Sequence, residues 1–171
     1  MYILKNNEKA TPVMVYTEST LIHGQVVTTE FLRVNIWLRT EGAPKYIHML
    51  NAQMIYPGAA VKTVKFDEIF IPTGEIIGFH VAPGVEVELD YDPGEANRMV
   101  IAVSAIAGSF VIKSQMRISS QTELRTSLEV ARTNWLSLYE AQITNPFLPQ
   151  MNVQVPMLLV QPEKVPFGLV E

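Results

Sequence analysis

The chain contains no cysteine, so disulfides and thiolate metal centres are excluded. It is poor in charge: 18% of its 171 residues are Asp, Glu, Lys or Arg, against roughly a quarter in an average globular chain. No apolar run approaches the length that spans a bilayer, and the start, MYILKNNEKATP, lacks the basic-then-apolar order of a signal segment. A cytoplasmic protein without a membrane partner is the expectation. The formal net charge is −4. Affinity for nucleic acid rests mainly on Lys and Arg displacing counterions from phosphates, so this balance argues against a polyanion partner. No nucleophile elbow, phosphate-binding glycine loop, zincin helix or kinase signature is present, and no cofactor or enzymatic activity is expected.

What the chain does have is 48% hydrophobic residues, enough for a core, broken by eleven prolines and nine glycines. Short apolar runs with that punctuation predict many short strands rather than long helices. The runs also repeat. YIHMLNAQMIYP (Tyr46 to Pro57) and WLSLYEAQITNP (Trp135 to Pro146) both open on an aromatic, pass through Ala-Gln and close on proline. Ala52 and Gln53 match Ala141 and Gln142 at an offset of 89 residues, and Pro57 and Pro146 keep that offset. Upstream, IHGQVV (from Ile22) resembles IAGSFV (from Ile106), and TEFLRVNIWLRT (from Thr29) resembles TELRTSLEVART (from Thr122). The same order of blocks in both halves predicts an internal duplication, with residues 1–82 and 98–171 as two units. The acidic stretch VEVELDYDPGE lies between them, within 83–97, as a linker or an extra strand.

Each half reads as strand, turn, strand, then a helix, a third strand and a closing hairpin. Gly24 and Gly108 are placed inside the second strand, where glycine marks a bend or a close backbone approach. In the second half Ser120-Gln121-Thr122-Glu123 has the pattern of a capping box, with Ser120 as the cap. Leu124, Leu128 and Ala131 follow on one helical face. The corresponding stretch 29–40 fits strand as well as helix, and helix is assigned through the repeat. Pro72-Thr73-Gly74 is a turn tripeptide for the hairpin of the first half.

The histidines His23, His48 and His80 are scattered and are read as locally bonded or solvated rather than as metal ligands. In the acidic stretch Asp90, Asp92 and Glu95 do not meet the calcium-loop pattern. Val85, Val87, Leu89 and Tyr91 are read as one face of a strand, with Glu86, Glu88 and Asp90 toward water. Arg33, Arg39, Arg125 and Arg132 are interleaved with Glu30, Glu123 and Glu129, which reads as a solvated mixed-charge face. Trp37 and Trp135 sit among apolar neighbours and are assigned to the core.

IFIPTGEII (Ile69 to Ile77) resembles the second motif of the Sm-like (LSm) family, an apolar strand, a glycine turn and another apolar strand. LIHGQVV resembles the glycine-bearing strand of that family's first motif. The chain is also similar to an uncharacterised bacterial Sm-like family with a helix inserted after the second strand. The resemblance implies a mostly β protein with short helices, built as two tandem SH3/Sm-like small barrels, with a tendency to form homo-oligomers. Two departures bear on RNA binding. The arginine of the family's Arg-Gly turn is Thr73 before Gly74 here, and the second half carries Pro162-Glu163. The base-cradling Asp and Asn loop is replaced by the expected helix. The expected function is therefore a non-enzymatic assembly or protein-interaction module, with RNA binding of the Sm-like kind as the alternative.

Overall fold

The computed structural model describes residues 1–169; the last two positions of the second expected unit, 170 and 171, lie outside the described residues. The chain is mostly β. Its first half comprises β1 (Glu8–Tyr16), β2 (Leu21–Thr29), a 3₁₀ turn (Val34–Arg39), β3 (Tyr46–Tyr56), β4 (Lys62–Pro72), a 3₁₀ turn (Thr73–Glu75) and β5 (Gly78–Val81). The second comprises β6 (Arg98–Ala107), β7 (Phe110–Ser119), the helix α1 (Leu124–Val130), β8 (Leu136–Thr144), β9 (Val153–Val160) and β10 (Phe167–Gly168). Two further 3₁₀ turns, Pro149–Met151 and Pro162–Lys164, flank β9. All ten strands form one antiparallel sheet in the order β10-β6-β7-β8-β9-β5-β1-β2-β3-β4.

The burial of each strand explains its sequence. β7 alternates with a period of two: Phe110, Ile112, Ser114, Met116 and Ile118 point inward, and the intervening residues do not. The three central strands show no such alternation. Val13–Tyr16, Met157–Val160 and Gly78–Val81 are buried at every position. These runs are covered on both faces, because the sheet carries a core on each side. One core gathers Val13, Val15, Ile22, Ile47 and Phe79, and takes Trp135, Tyr139, Met157 and Leu159 from the second half. The other gathers Phe110, Ile112, Leu138, Ile143 and Leu158, and takes Met14, Tyr16, Leu21 and Ile77 from the first. Each half thus completes the core of the other.

Both bent strands carry a local irregularity. The β2–β3 register shifts between His23 and Gln25, and the β7–β8 register between Lys113 and Gln115. Opposite these shifts Asn51 and Glu140 adopt φ of 49° and 47°, uncommon for residues with a Cβ. Gly24 sits in the first irregularity. A Cβ there would lie 2.9 Å from Ala52 Cα and 3.0 Å from the Leu50 carbonyl, so only glycine admits this approach. The residue at the second irregularity is Ser114, not Gly108.

Several expectations differ from the structure. Gly108 lies in the two-residue turn between Ala107 and Phe110, with φ of +60°, rather than inside a strand. Positive φ at the first turn position favours glycine, and the turn packs so tightly on the Thr17–Glu18 backbone that a Cβ would meet Glu18 O at 2.5 Å. Among the described residues the closing hairpins are absent: β5 pairs with β1 and β9, and β10 with β6, while β4 ends the sheet. After Pro72 the chain makes a 3₁₀ turn (Ile76 N–H to Thr73 O, 3.2 Å) and leaves β4 instead of folding back on it. Ser120 is not a cap. Its amide donates to the Asn97 carbonyl at 2.9 Å, extending the β6–β7 ladder, and α1 starts after Glu123 with no side-chain cap. Residues 34–39 are helical as the repeat implied, in the tighter 3₁₀ form. The 85–91 stretch is not a strand. It runs as an irregular segment whose Val85, Val87, Leu89 and Tyr91 pack on the first-half core.

Tyr16 and His80 meet inside the sheet's central region. His80 Nδ1 is 2.8 Å from the Val81 carbonyl, which can only accept, so Nδ1 carries the proton. Nε2 therefore accepts from the Tyr16 hydroxyl at 2.9 Å. Burial pushes the His80 pKa down to about 4, against the hydrogen bond to Val81, which raises it. In the unfolded chain a histidine titrates near 6.5. Between these values the unfolded chain binds a proton that the folded chain does not, so stability falls as pH drops. Denaturant titrations should show a loss of about 2–4 kcal/mol between roughly pH 7 and pH 4, and His80→Leu should flatten that window. An unchanged slope in His80→Leu would assign the acid sensitivity to other groups.

Candidate functional site

The acidic segment that was read as solvated supplies the most connected polar cluster. Asp90, whose side chain is only 3% exposed, accepts from Ser137 Oγ (2.6 Å, to Oδ2) and from the Tyr139 hydroxyl (2.6 Å, to Oδ1). Arg39 Nη1 reaches the same carboxylate at 2.6 Å and also donates to Ser137 Oγ at 2.8 Å. Burial raises the Asp90 pKa, but the hydrogen bonds from Ser137 and Tyr139 and the Arg39 charge outweigh it, leaving the carboxyl below its usual range. Tyr139 moves the other way: burial and its bond to Asp90 hold the phenol protonated. The cluster ties the 3₁₀ turn of the first half (Arg39), the connecting segment (Asp90) and β8 (Ser137, Tyr139) together. Asp90→Ala should cost about 1–3 kcal/mol on chemical denaturation, because it strands a buried phenol and removes the partner of Arg39. A change below about 0.5 kcal/mol would show that water replaces the carboxylate.

Next to it, Arg117 lies over the Tyr91 ring at 3.7 Å, and Tyr91 meets Tyr139 edge-on at 4.8 Å. Arg117 reaches Glu95 at 3.6 Å, and Glu95 also holds Arg98 at 3.0 Å. A cleft of about 400 Å³ opens between α1 and the β7–β8 strands, with Arg39, Arg98 and Arg117 along its wall.

The residues singled out from sequence do not converge there. Ala52 and Gln53 lie on β3, Ala141 and Gln142 on β8, Gly74 in a 3₁₀ turn, and Gly24, Gly108 and Ser120 in the backbone roles described above. His23 Nε2 contacts Gln53 Oε1 at 3.2 Å, and His48 contacts Glu68 at 2.9 Å while stacking on Phe70. Of the four arginines read as a mixed-charge face, Arg33 and Arg125 pair with Glu88 and Glu129, whereas Arg39 is the partner of Asp90. Trp37 and Trp135 are buried. Asp90, Ser137 and Tyr139 were missed as a site, since their partners are about fifty residues apart in sequence. Among the described residues no helix is long and apolar enough to cross a membrane. No protein-family model, curated protein or solved structure matches the chain.

Proposed function

We propose that the chain is a non-enzymatic assembly module of two duplicated small barrels of Sm-like type, and that it joins further copies of itself head to tail. The duplication draws support from strand order: β5-β1-β2-β3-β4 in one half parallels β10-β6-β7-β8-β9 in the other. The positive-φ residues Asn51 and Glu140, and the 3₁₀ turns beginning at Thr73 and Pro162, keep the 89-residue offset of Ala52 and Ala141.

The observation that carries the assembly reading is the junction between the halves. There β9 pairs with β5, Gly78 facing Val160 and Phe79 facing Leu159. Gln161 reinforces it, its amide donating to Ile77 O at 3.0 Å and its side chain to Ile76 O at 2.6 Å, and Lys164 Nζ reaches the Gly74 carbonyl. The sheet ends on β4 and β10, the counterparts of β9 and β5. β4 of one copy can therefore receive β10 of the next and repeat the strand pairing of the internal junction, without the Gln161 and Lys164 bonds, whose counterparts at that offset are Pro72 and Glu75. The same offset puts Phe167 opposite Ile71 and Gly168 opposite Phe70 across that contact. Among the described residues both ends leave strand groups unpaired and display apolar side chains: Val61, Val64 and Phe70 at one, Met99, Val100 and Leu169 at the other. A heterologous contact of this kind closes into a ring or continues as a filament.

The test is mass in solution by light scattering at several micromolar concentrations. A discrete multiple of 19.2 kDa is expected. A stable 19.2 kDa particle throughout would overturn the reading. RNA binding is less well supported, since Trp135 and Tyr139, the aromatics that line the cleft with the arginines, are buried, and Arg117 covers one face of the Tyr91 ring.

A further inference from the structure

We propose that the cleft between α1 and the β7–β8 strands binds a small organic anion, one oxyanion headgroup on an apolar body. The site forms within one chain and does not rest on the assembly reading. The cleft holds about 400 Å³, within the range of small-ligand sites. Three guanidiniums line it (Arg39, Arg98 and Arg117) and, among the described residues, no carboxylate does.

The charge balance there is positive, although the whole chain is negative. Arg39 is neutralised by Asp90 behind it, which uses only its Nη1. Arg98 and Arg117 share a single carboxylate, Glu95, leaving one positive charge in excess. Arg117 is the less satisfied of the two. Its side chain is only 12% exposed, yet its partners are distant: Glu95 at 3.6 Å and the Asp92 carbonyl at 3.4 Å from each terminal nitrogen. A guanidinium largely removed from water, with long bonds on one side, favours an anion on the other. Tyr91 under its plane and Asp90 behind Arg39 hold both groups in place before a ligand arrives, which lowers the ordering cost of binding.

The rest of the wall decides the ligand's body. Leu128 and Val130 of α1, with Met116, Ile118 and Leu136 of the strand segments, supply its apolar lining. An inorganic ion would leave this apolar half empty, and an uncharged hydrocarbon would leave Arg117 unpaired. The geometry therefore favours a compound with both parts, its headgroup a phosphomonoester or a carboxylate.

The experiment titrates the full-length protein with phenyl phosphate, benzoate, inorganic phosphate and phenol, by calorimetry and amide chemical shifts. Phenyl phosphate or benzoate should saturate one site per chain and shift amides within 116–119 and 127–137. The tighter of the two identifies the headgroup. Phenol and inorganic phosphate should each bind at least about tenfold more weakly than that probe. Arg98→Gln, at a half-exposed position that leaves the fold intact, should weaken binding by about tenfold, and Arg117→Gln by at least as much. No saturation by either organic anion in the millimolar range would overturn the proposal. So would shifts confined to other parts of the sheet, or binding in Arg98→Gln equal to that of the unaltered chain.

Discussion

Tyr16→Ala is expected to remove about 3–5 kcal/mol of stability, a large share of the 5–15 kcal/mol of an ordinary domain. Tyr16 is fully buried and starts from the first half, but its ring belongs to the second-half core, edge-on to Phe110 at 4.9 Å. Gly78 makes room for it: a Cβ there would sit 3.3 Å from the ring. Truncation opens a cavity between the halves, removes the donor to His80 Nε2 and leaves that nitrogen buried without a partner. Tyr16→Phe separates these effects. It keeps the ring and loses only the hydroxyl, and should cost about 1–2 kcal/mol. Both losses read out as midpoint shifts in urea at constant slope. A Tyr16→Ala loss under about 1.5 kcal/mol would mean the halves hold together without this side chain.

The strands were largely legible because their burial is written in periodicity. The Ala-Gln-to-Pro blocks of β3 and β8 are local signals, and those strands lie where they are expected, whereas β7 starts after Gly108 rather than around it. The runs VMVY and MLLV announce burial on both faces but do not say which core takes which residue. Pairing was harder to read. Pro72-Thr73-Gly74 looks like a hairpin turn, yet β5 joins β1, far away in sequence, with Gly78 opposite Tyr16 and Val81 opposite Val13. Ser120 carries the side chain of a cap, but the β6–β7 ladder takes its amide first.

The polar cluster was not legible at all. Alternation in VEVELDYD assigns Asp90 to water, and that inference requires a strand. The segment is irregular, so its apolar residues can pack while Asp90 turns inward between them. What keeps it there is Arg39 on one side and Ser137 and Tyr139 on the other, none of them near it in sequence. The one available hint was compositional: an acidic run in a chain otherwise sparing of charge.

Two single-charge variants should take the proposed assembly apart in a directional way. Phe70 on β4 is 59% exposed, and in the proposed contact the 89-residue offset would set it opposite Gly168 of the next copy. Phe70→Asp places an unpaired carboxylate in that contact. Gly168→Asp does the same from the other side, and nothing lies within 4 Å of its new Cβ, so the fold accommodates it. Each variant alone has one damaged edge, and each should lose at least about tenfold in self-affinity. Sedimentation at micromolar concentration should then show particles near 19.2 kDa. The mixture behaves differently if the contact is head to tail. Phe70→Asp retains an intact β10 end, Gly168→Asp retains an intact β4, and the two should pair once and stop, giving a particle of twice the chain mass. A symmetric β4-to-β4 dimer predicts another pattern: Gly168→Asp would stay dimeric and the mixture would gain nothing. Edge pairing through β10 alone predicts the reverse, with Phe70→Asp unaffected. Only the heterologous contact makes both variants monomeric alone and complementary together, because it alone uses one of each edge.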